Sequence, residues 1–194
     1  MLPDSSNGSS EVETLINAID LLSHRTGIAG GESLYFHAQP LLDDTSHVAA
    51  YAGLPQVGPF RSTMQYKNLG YGLVSQAMTQ VTGKSYSDLL ERYITQPLSL
   101  EWTGVGYDRR QLLNTANKYL VADDGSVIEN PRPLYHEGTH ALASGGIWSS
   151  VNDLLTFYQE VLKAAAQEGT KIKARQSPLK QLSTILKGHA FLSS

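Results

Sequence analysis

Few side chains in this sequence stand at spacings that support chemistry. A serine hydroxyl is a poor nucleophile until a base sits within hydrogen-bond reach. Ser23-His24 sets a hydroxyl beside an imidazole, but adjacent residues on a helix do not face each other, so that helix end reads as a packing element. Ser177-Pro-Leu-Lys180 is the one Ser-x-x-Lys in the chain; Pro178 disfavours a helix interior, and the segment reads as a loop or helix start. Tyr66 and Asn68 flank Lys67. Taken alone, the tyrosine is an aromatic beside a helix start, the asparagine an N-cap and Lys67 an exposed lysine. His136, His140 and His189 have no H-E-x-x-H spacing or carboxylate-rich neighbourhood; they read as surface or turn histidines, and no metal site is expected. No Gly-x-Ser-x-Gly elbow occurs. With no cysteine, disulfides, thiol nucleophiles and zinc–thiolate sites are excluded.

The remaining composition narrows the class. A hydrophobic share of 41% and a charged share of 17% suit a packed domain rather than a wholly disordered chain. The net charge of −3 lacks the basic excess of a domain that grips nucleic acid by its phosphates. Lys171, Lys173, Arg175, Lys180 and Lys187 cluster near the end without an acidic residue among them, which reads as a solvated segment. No run reaches the ~18–20 apolar residues of a membrane helix. The start, MLPDSSNGSS, has no basic region followed by an apolar one, so no secretory leader is read there, and a cytoplasmic location is the expectation.

The elements that would position these residues follow from periodicity. Residues 3–10 read as loop. Val12, Leu15, Ile16, Ile19 and Leu22 fall near helical spacing, with Asn17 and Asp20 as a cap and Gly27 as the stop. From Gly27 to Thr63 the periodicity is poor and glycines and prolines punctuate it, which suggests a long loop bordering a cleft. Leu69, Leu73, Ala77 and Val81 predict an amphipathic helix stopped by Gly83. Ser85 and Asp88 open a second helix that Pro97 ends. Residues 98–149 read as turns and short strands, with Asp123-Asp124-Gly125 turning a hairpin. Ser150 and Asp153 open a third helix carrying Leu154, Phe157, Val161 and Leu162, which stops near Gly169.

Four segments, in order, resemble the serine β-lactamase and penicillin-binding-protein-like family of the class C type. They are Asp20-Leu-Leu-Ser-His-Arg-Thr-Gly27, Tyr66-Lys-Asn-Leu-Gly-Tyr-Gly-Leu73, Val81-Thr-Gly-Lys-Ser-Tyr86 continuing to Gln96-Pro-Leu98, and Gly145-Gly-Ile-Trp-Ser-Ser-Val-Asn-Asp-Leu154. The resemblance implies an α+β, β-lactamase/transpeptidase-like fold. Here it would be truncated to most of the helical subdomain with few sheet strands, as a partial domain over 11–169 between a disordered stretch 1–10 and a poorly ordered basic segment 170–194. Such a piece would leave sheet edges and apolar faces uncovered, so poor solubility is expected of it alone.

The family's site joins a Ser-x-x-Lys nucleophile, a Tyr-x-Asn and a later Lys/His-x-Gly strand. By resemblance, Tyr66 is the catalytic general acid/base, and Asn68 is the substrate-binding amide that contacts substrate or orients the lysine. A tyrosine of reference pKa about 10 works near neutrality only beside cations, and that lysine is one. The family's Ser-x-x-Lys belongs upstream of Leu21, where this sequence has none. His136-Glu-Gly138 fits His-x-Gly but precedes Gly145-Gly146, where the family's copy follows. The resemblance therefore implies serine acyl transfer on a small ester or amide, with the nucleophile missing and no cofactor. A non-catalytic remnant or an interaction module on the same scaffold is the alternative.

Overall fold

Side-chain caps written into the sequence start four of the eight described α-helices. The computed structural model describes residues 15–30, 42–106, 115–130, 135–168 and 177–189. Helix α1 (Ala18–Leu22) begins with the expected reciprocal cap: the Asn17 side chain accepts from the Ile19 and Asp20 amides, and the Asp20 carboxylate accepts from the Asn17 amide. It ends well before Gly27, because the chain reverses at His24, whose φ is +59°.

Helix α2 (Asp44–Ala52) lies where a long loop is expected. Asp43 caps it by accepting from the Ser46 amide at 2.7 Å. Among its described side chains, His47 and Tyr51, one turn apart, are the buried ones. Two inward positions make too weak a periodic signal to register as a helix.

Helix α3 (Asn68–Thr82) is stopped by Gly83 in the left-handed region, as expected. Its burial differs from the expected stripe. Leu69, Gly70 and Gly72 are buried, whereas Ala77 is exposed and Val81 is 86% exposed. The glycines matter more than the apolar repeat, since each allows another segment to approach closely. A Cβ at Gly70 would stand 2.9 Å from the Leu21 carbonyl oxygen, and one at Gly72 would stand 2.4 Å from His47 Cε1.

Ser85 and Asp88 form the second reciprocal cap, opening α4 (Tyr86–Leu90). The helix widens into a π-helical turn (Glu91–Thr95) and closes with α5 (Gln96–Leu98). Pro97 thus sits inside the last turn rather than ending the helix, which stops at Ser99 in the left-handed region. Strand β1 (Gly104–Val105) pairs antiparallel with β4 (Ile147–Trp148), and β2 (Tyr119–Val121) pairs with β3 (Val127–Glu129) as the expected hairpin. Gly125 supplies the positive φ of +81° that its turn needs.

Helix α6 (Leu142–Gly145) leads into β4, and Ser150 then caps α7 (Val151–Glu168) by accepting from the Asp153 amide. Asp153 and Ala164 are its buried residues, and Leu154 and Leu162 face outward, against expectation. Helix α8 (Leu182–Ile185) docks on the end of α7, where the Glu168 carboxylate accepts from the Leu182 and Ser183 amides at 2.7 Å each. The expectations for residues 1–14, 31–41, 107–114, 131–134, 169–176 and 190–194 lie outside the described residues.

The buried apolar residues, including Leu69, Leu89, Leu100, Leu142 and Leu182, are few beside the large apolar side chains left exposed on α7 and on the β2–β3 hairpin. No described helix is long and apolar enough to cross a membrane.

Candidate active site at the start of helix α3

Tyr66 and Asn68 come together at the N-terminus of α3. The Tyr66 hydroxyl donates to Asn68 Oδ1 at 3.0 Å, and Tyr66 is 60% exposed. Lys67 between them has extended backbone, φ −150° and ψ 116°. Successive side chains on extended backbone point to opposite sides, so Lys67 turns inward and is 2% exposed. That overturns its reading as an exposed lysine. The alternation of the two polar neighbours was the available signal: if Tyr66 and Asn68 face out, the residue between them faces in.

Beneath the pair lies the end of α1. The His24 ring is 4.6 Å from the Tyr66 ring and 5.5 Å from the Tyr71 ring, centroid to centroid. The Tyr71 hydroxyl donates to the Leu22 carbonyl at 3.1 Å; burial, and secondarily the neighbouring Tyr66, push its phenol above the ordinary tyrosine value. Asp20, fully buried, holds this corner. Its carboxylate accepts from Arg25 Nε at 2.7 Å and from Arg61 Nε and a terminal guanidinium nitrogen at 2.8 Å each. The Arg61 guanidinium is the main reason that its pKa lies below the usual aspartate value, against the opposing effect of burial.

Other sequence candidates stand apart. Ser177 Oγ accepts from the Leu179 amide at 3.1 Å, and Lys180 Nζ donates to the Ser177 carbonyl rather than to its hydroxyl. The lysine therefore does not activate that serine. His136 is exposed, with Nδ1 2.8 Å from the Glu137 carbonyl oxygen. His140 is not a surface histidine: it is buried, its ring 5.5 Å from that of fully buried His47. Burial, reinforced by His140, pulls the His47 pKa down to about 4, with a Leu69 backbone contact acting in the opposite direction. Among the described residues no group of three or more metal-ligating side chains gathers. A cleft of about 360 Å³ runs beside the π-helical turn, lined in part by Ser87, Glu91, Thr95 and Thr103; it does not include Tyr66 or Asn68.

The fourth sequence landmark is structural. Asp153 Oδ2 accepts from the Trp102 amide and the Thr103 hydroxyl, both at 2.8 Å. It ties the start of α7 to the segment that follows α5.

The β-lactamase family model matches residues 14–188. The chain belongs to the β-lactamase family. Unguisins hydrolase ungD of Aspergillus violaceofuscus is 28% identical over 157 residues, which is 76% of this chain and 27% of that protein. The D-alanyl-D-alanine-carboxypeptidase/endopeptidase AmpH of Escherichia coli K12 is 28% identical over 103 residues, 53% of this chain and 24% of that protein. The D-amino acid amidase of Ochrobactrum anthropi SV3 superposes with a TM-score of 0.64 at 24% identity, over 79% of this chain and 44% of that one. The β-lactamase chain described here thus spans about a quarter of the length of these two sequence relatives. Its fold is the expected β-lactamase/transpeptidase-like α+β type, rich in helices and poor in strands.

Proposed function

We propose that this chain carries the tyrosine–asparagine part of an acyl-transfer site for small ester or amide substrates. Tyr66 is the general acid/base, and Asn68 is the amide that contacts substrate or orients a cation. The observation that supports this most is the Tyr66–Asn68 hydrogen bond on an exposed helix start, which leaves a phenol and an amide accessible side by side. Relatives named as a hydrolase and an amidase favour cleavage of a carboxylic ester or amide as the reaction class. A phenol of reference pKa about 10 takes a proton from a hydroxyl near neutrality only with a cation beside it, so turnover requires a Ser–Lys pair next to Tyr66. The chain's one Ser-x-x-Lys has its hydroxyl and ammonium engaged elsewhere. That favours a second reading for this polypeptide by itself: a scaffold that binds an ester or amide without turning it over.

The test combines labelling and binding. The purified chain, incubated with a fluorescent β-lactam and a fluorophosphonate, is expected to remain unlabelled. Phenylalanine amide and p-nitrophenyl acetate are expected to shift the NMR signals of Tyr66 and Asn68, with about tenfold weaker binding in Asn68→Ala. Covalent labelling abolished by Ser177→Ala would move the site to the C-terminal segment. Turnover that survives Tyr66→Phe would remove Tyr66 from the chemistry.

A further inference from the structure

We infer that His24 is a positioning residue for Tyr66, clamping the backbone on both sides of it and backing its ring; the inference rests on the role given to Tyr66 above. The residues flanking Tyr66 both give their backbone amides to this histidine. The Gln65 N–H donates to the His24 carbonyl at 2.7 Å, and the buried Lys67 N–H donates to His24 Nδ1 at 3.1 Å. One residue of the α1 end therefore acts as a strand partner would, its ring nitrogen standing in for a second carbonyl. The same imidazole lies under the Tyr66 ring, with centroids 4.6 Å apart and a tilt of 43°.

Three features say that the imidazole is needed as such. A non-glycine residue at φ +59° carries a steric cost that glycine would avoid. The side chain is buried, so it gains nothing from solvent in compensation. Because Nδ1 accepts from an amide, the neutral ring must carry its proton on Nε2, which fixes the tautomer. The clamp orients the phenol toward Asn68, to which it donates at 3.0 Å. It also explains Ser23-His24 without a serine–histidine pair, since the Ser23 hydroxyl donates to the Ile19 carbonyl of its own helix.

Asparagine separates the two functions of His24. It tolerates the left-handed backbone, and its Oδ1 can replace Nδ1 as acceptor, but it has no ring. Phenylalanine keeps a ring and removes the acceptor. NMR of the full chain is expected to show a nuclear Overhauser contact between the His24 and Tyr66 rings and slow exchange of the Lys67 amide. In His24→Asn the Lys67 amide stays protected, while the Tyr66 ring signals lose their ring-current displacement. In His24→Phe the Tyr66 displacement persists, and the Lys67 amide exchanges about tenfold faster. If His24→Phe does not fold, the wild-type ring contact and His24→Asn decide. Absence of the ring contact overturns the inference. So do Tyr66 signals identical in wild type and His24→Asn, and so do changes spread equally over Leu69 and Leu89, which mark general loosening. None of these readouts uses a substrate, so failure of the acyl-transfer reading leaves them intact, and their failure removes His24 alone.

Discussion

Lowering the pH below 6.5 should destabilise this protein through His47. His47 is fully buried between α2 and α3. It faces the His140 ring at 5.5 Å and the backbone of Gly72, where a Cβ would be 2.4 Å from its ring. Neither neighbour offers a negative charge to an imidazolium. Its pKa falls from 6.5 to about 4 in the folded protein, and at ~1.4 kcal/mol for each tenfold change this makes protonation of the folded form cost about 3 kcal/mol.

The sign follows from linkage. Above pH 6.5 both states hold His47 neutral, and its contribution to stability is complete. Between about 6.5 and 4 the unfolded chain takes up a proton that the folded one refuses, so stability falls as pH falls, by up to ~1.4 kcal/mol per pH unit. Below about 4 the loss levels off. Urea unfolding at pH 7.5, 6.5, 5.5 and 4.5 measures this directly. His47→Leu fills similar volume and cannot titrate, so its stability should change less over that window, by about 3 kcal/mol in total. The difference between the two proteins isolates His47 from the other histidines. Parallel pH curves for wild type and His47→Leu between pH 6.5 and 4 would refute the reasoning.

Three further outcomes follow from other contacts. Asp20→Asn leaves Arg25 and Arg61 facing each other without their shared carboxylate and should cost about 3 kcal/mol at pH 7 in urea melts. Because the folded Asp20 pKa is depressed, that stabilisation is present above the unfolded value near ~4 and is lost as pH falls below it, so mutant and wild type should converge in acid. Gly72→Ala would put a Cβ 2.5 Å from the His140 carbonyl oxygen, a backbone atom with little freedom to yield; a loss of about 3 kcal/mol by thermal unfolding is expected. Asp153→Ala removes the acceptor for the Trp102 amide and the Thr103 hydroxyl, which should cost about 2 kcal/mol and change the fluorescence of nearby Trp102.

What could be read from the sequence was local. The caps at Asn17/Asp20, Ser85/Asp88 and Ser150/Asp153 were legible because a side chain and the amide three residues on make a self-contained bond, and all three are present. The Asp124-Gly125 turn was legible for the same reason. Helix α2 was not, because two inward positions among nine residues carry little periodicity. On α3 and α7 the helices were right and their faces were wrong. Val81, Leu154 and Leu162 are apolar yet exposed, and Gly70 and Gly72 are buried, because close backbone approach rather than an apolar stripe sets which side packs. At the candidate site, Tyr66 and Asn68 are proposed through resemblance to a family motif. The inward turn of Lys67 follows from the alternation of its two neighbours on extended backbone, whereas the clamp from His24 depends on pairing between segments far apart in sequence, which no local pattern encodes.

That difference has a physical basis. With few apolar side chains fully buried, the relative placement of α1, α2, α3 and α7 depends on buried polar groups that join distant segments. Asp20 takes Arg61, His24 takes the Lys67 amide, the Leu42 carbonyl takes the His140 amide, and Asp153 takes Thr103. Apolar contacts tolerate sliding, whereas a buried acceptor that misses its donor loses roughly 1–3 kcal/mol at once. The register of Tyr66 over the α1 end is therefore fixed by hydrogen bonds with one satisfactory geometry. A substitution that shortens an apolar side chain on the outer face of α7 should leave Tyr66 in place, whereas one that removes a single buried acceptor near α1 should displace it.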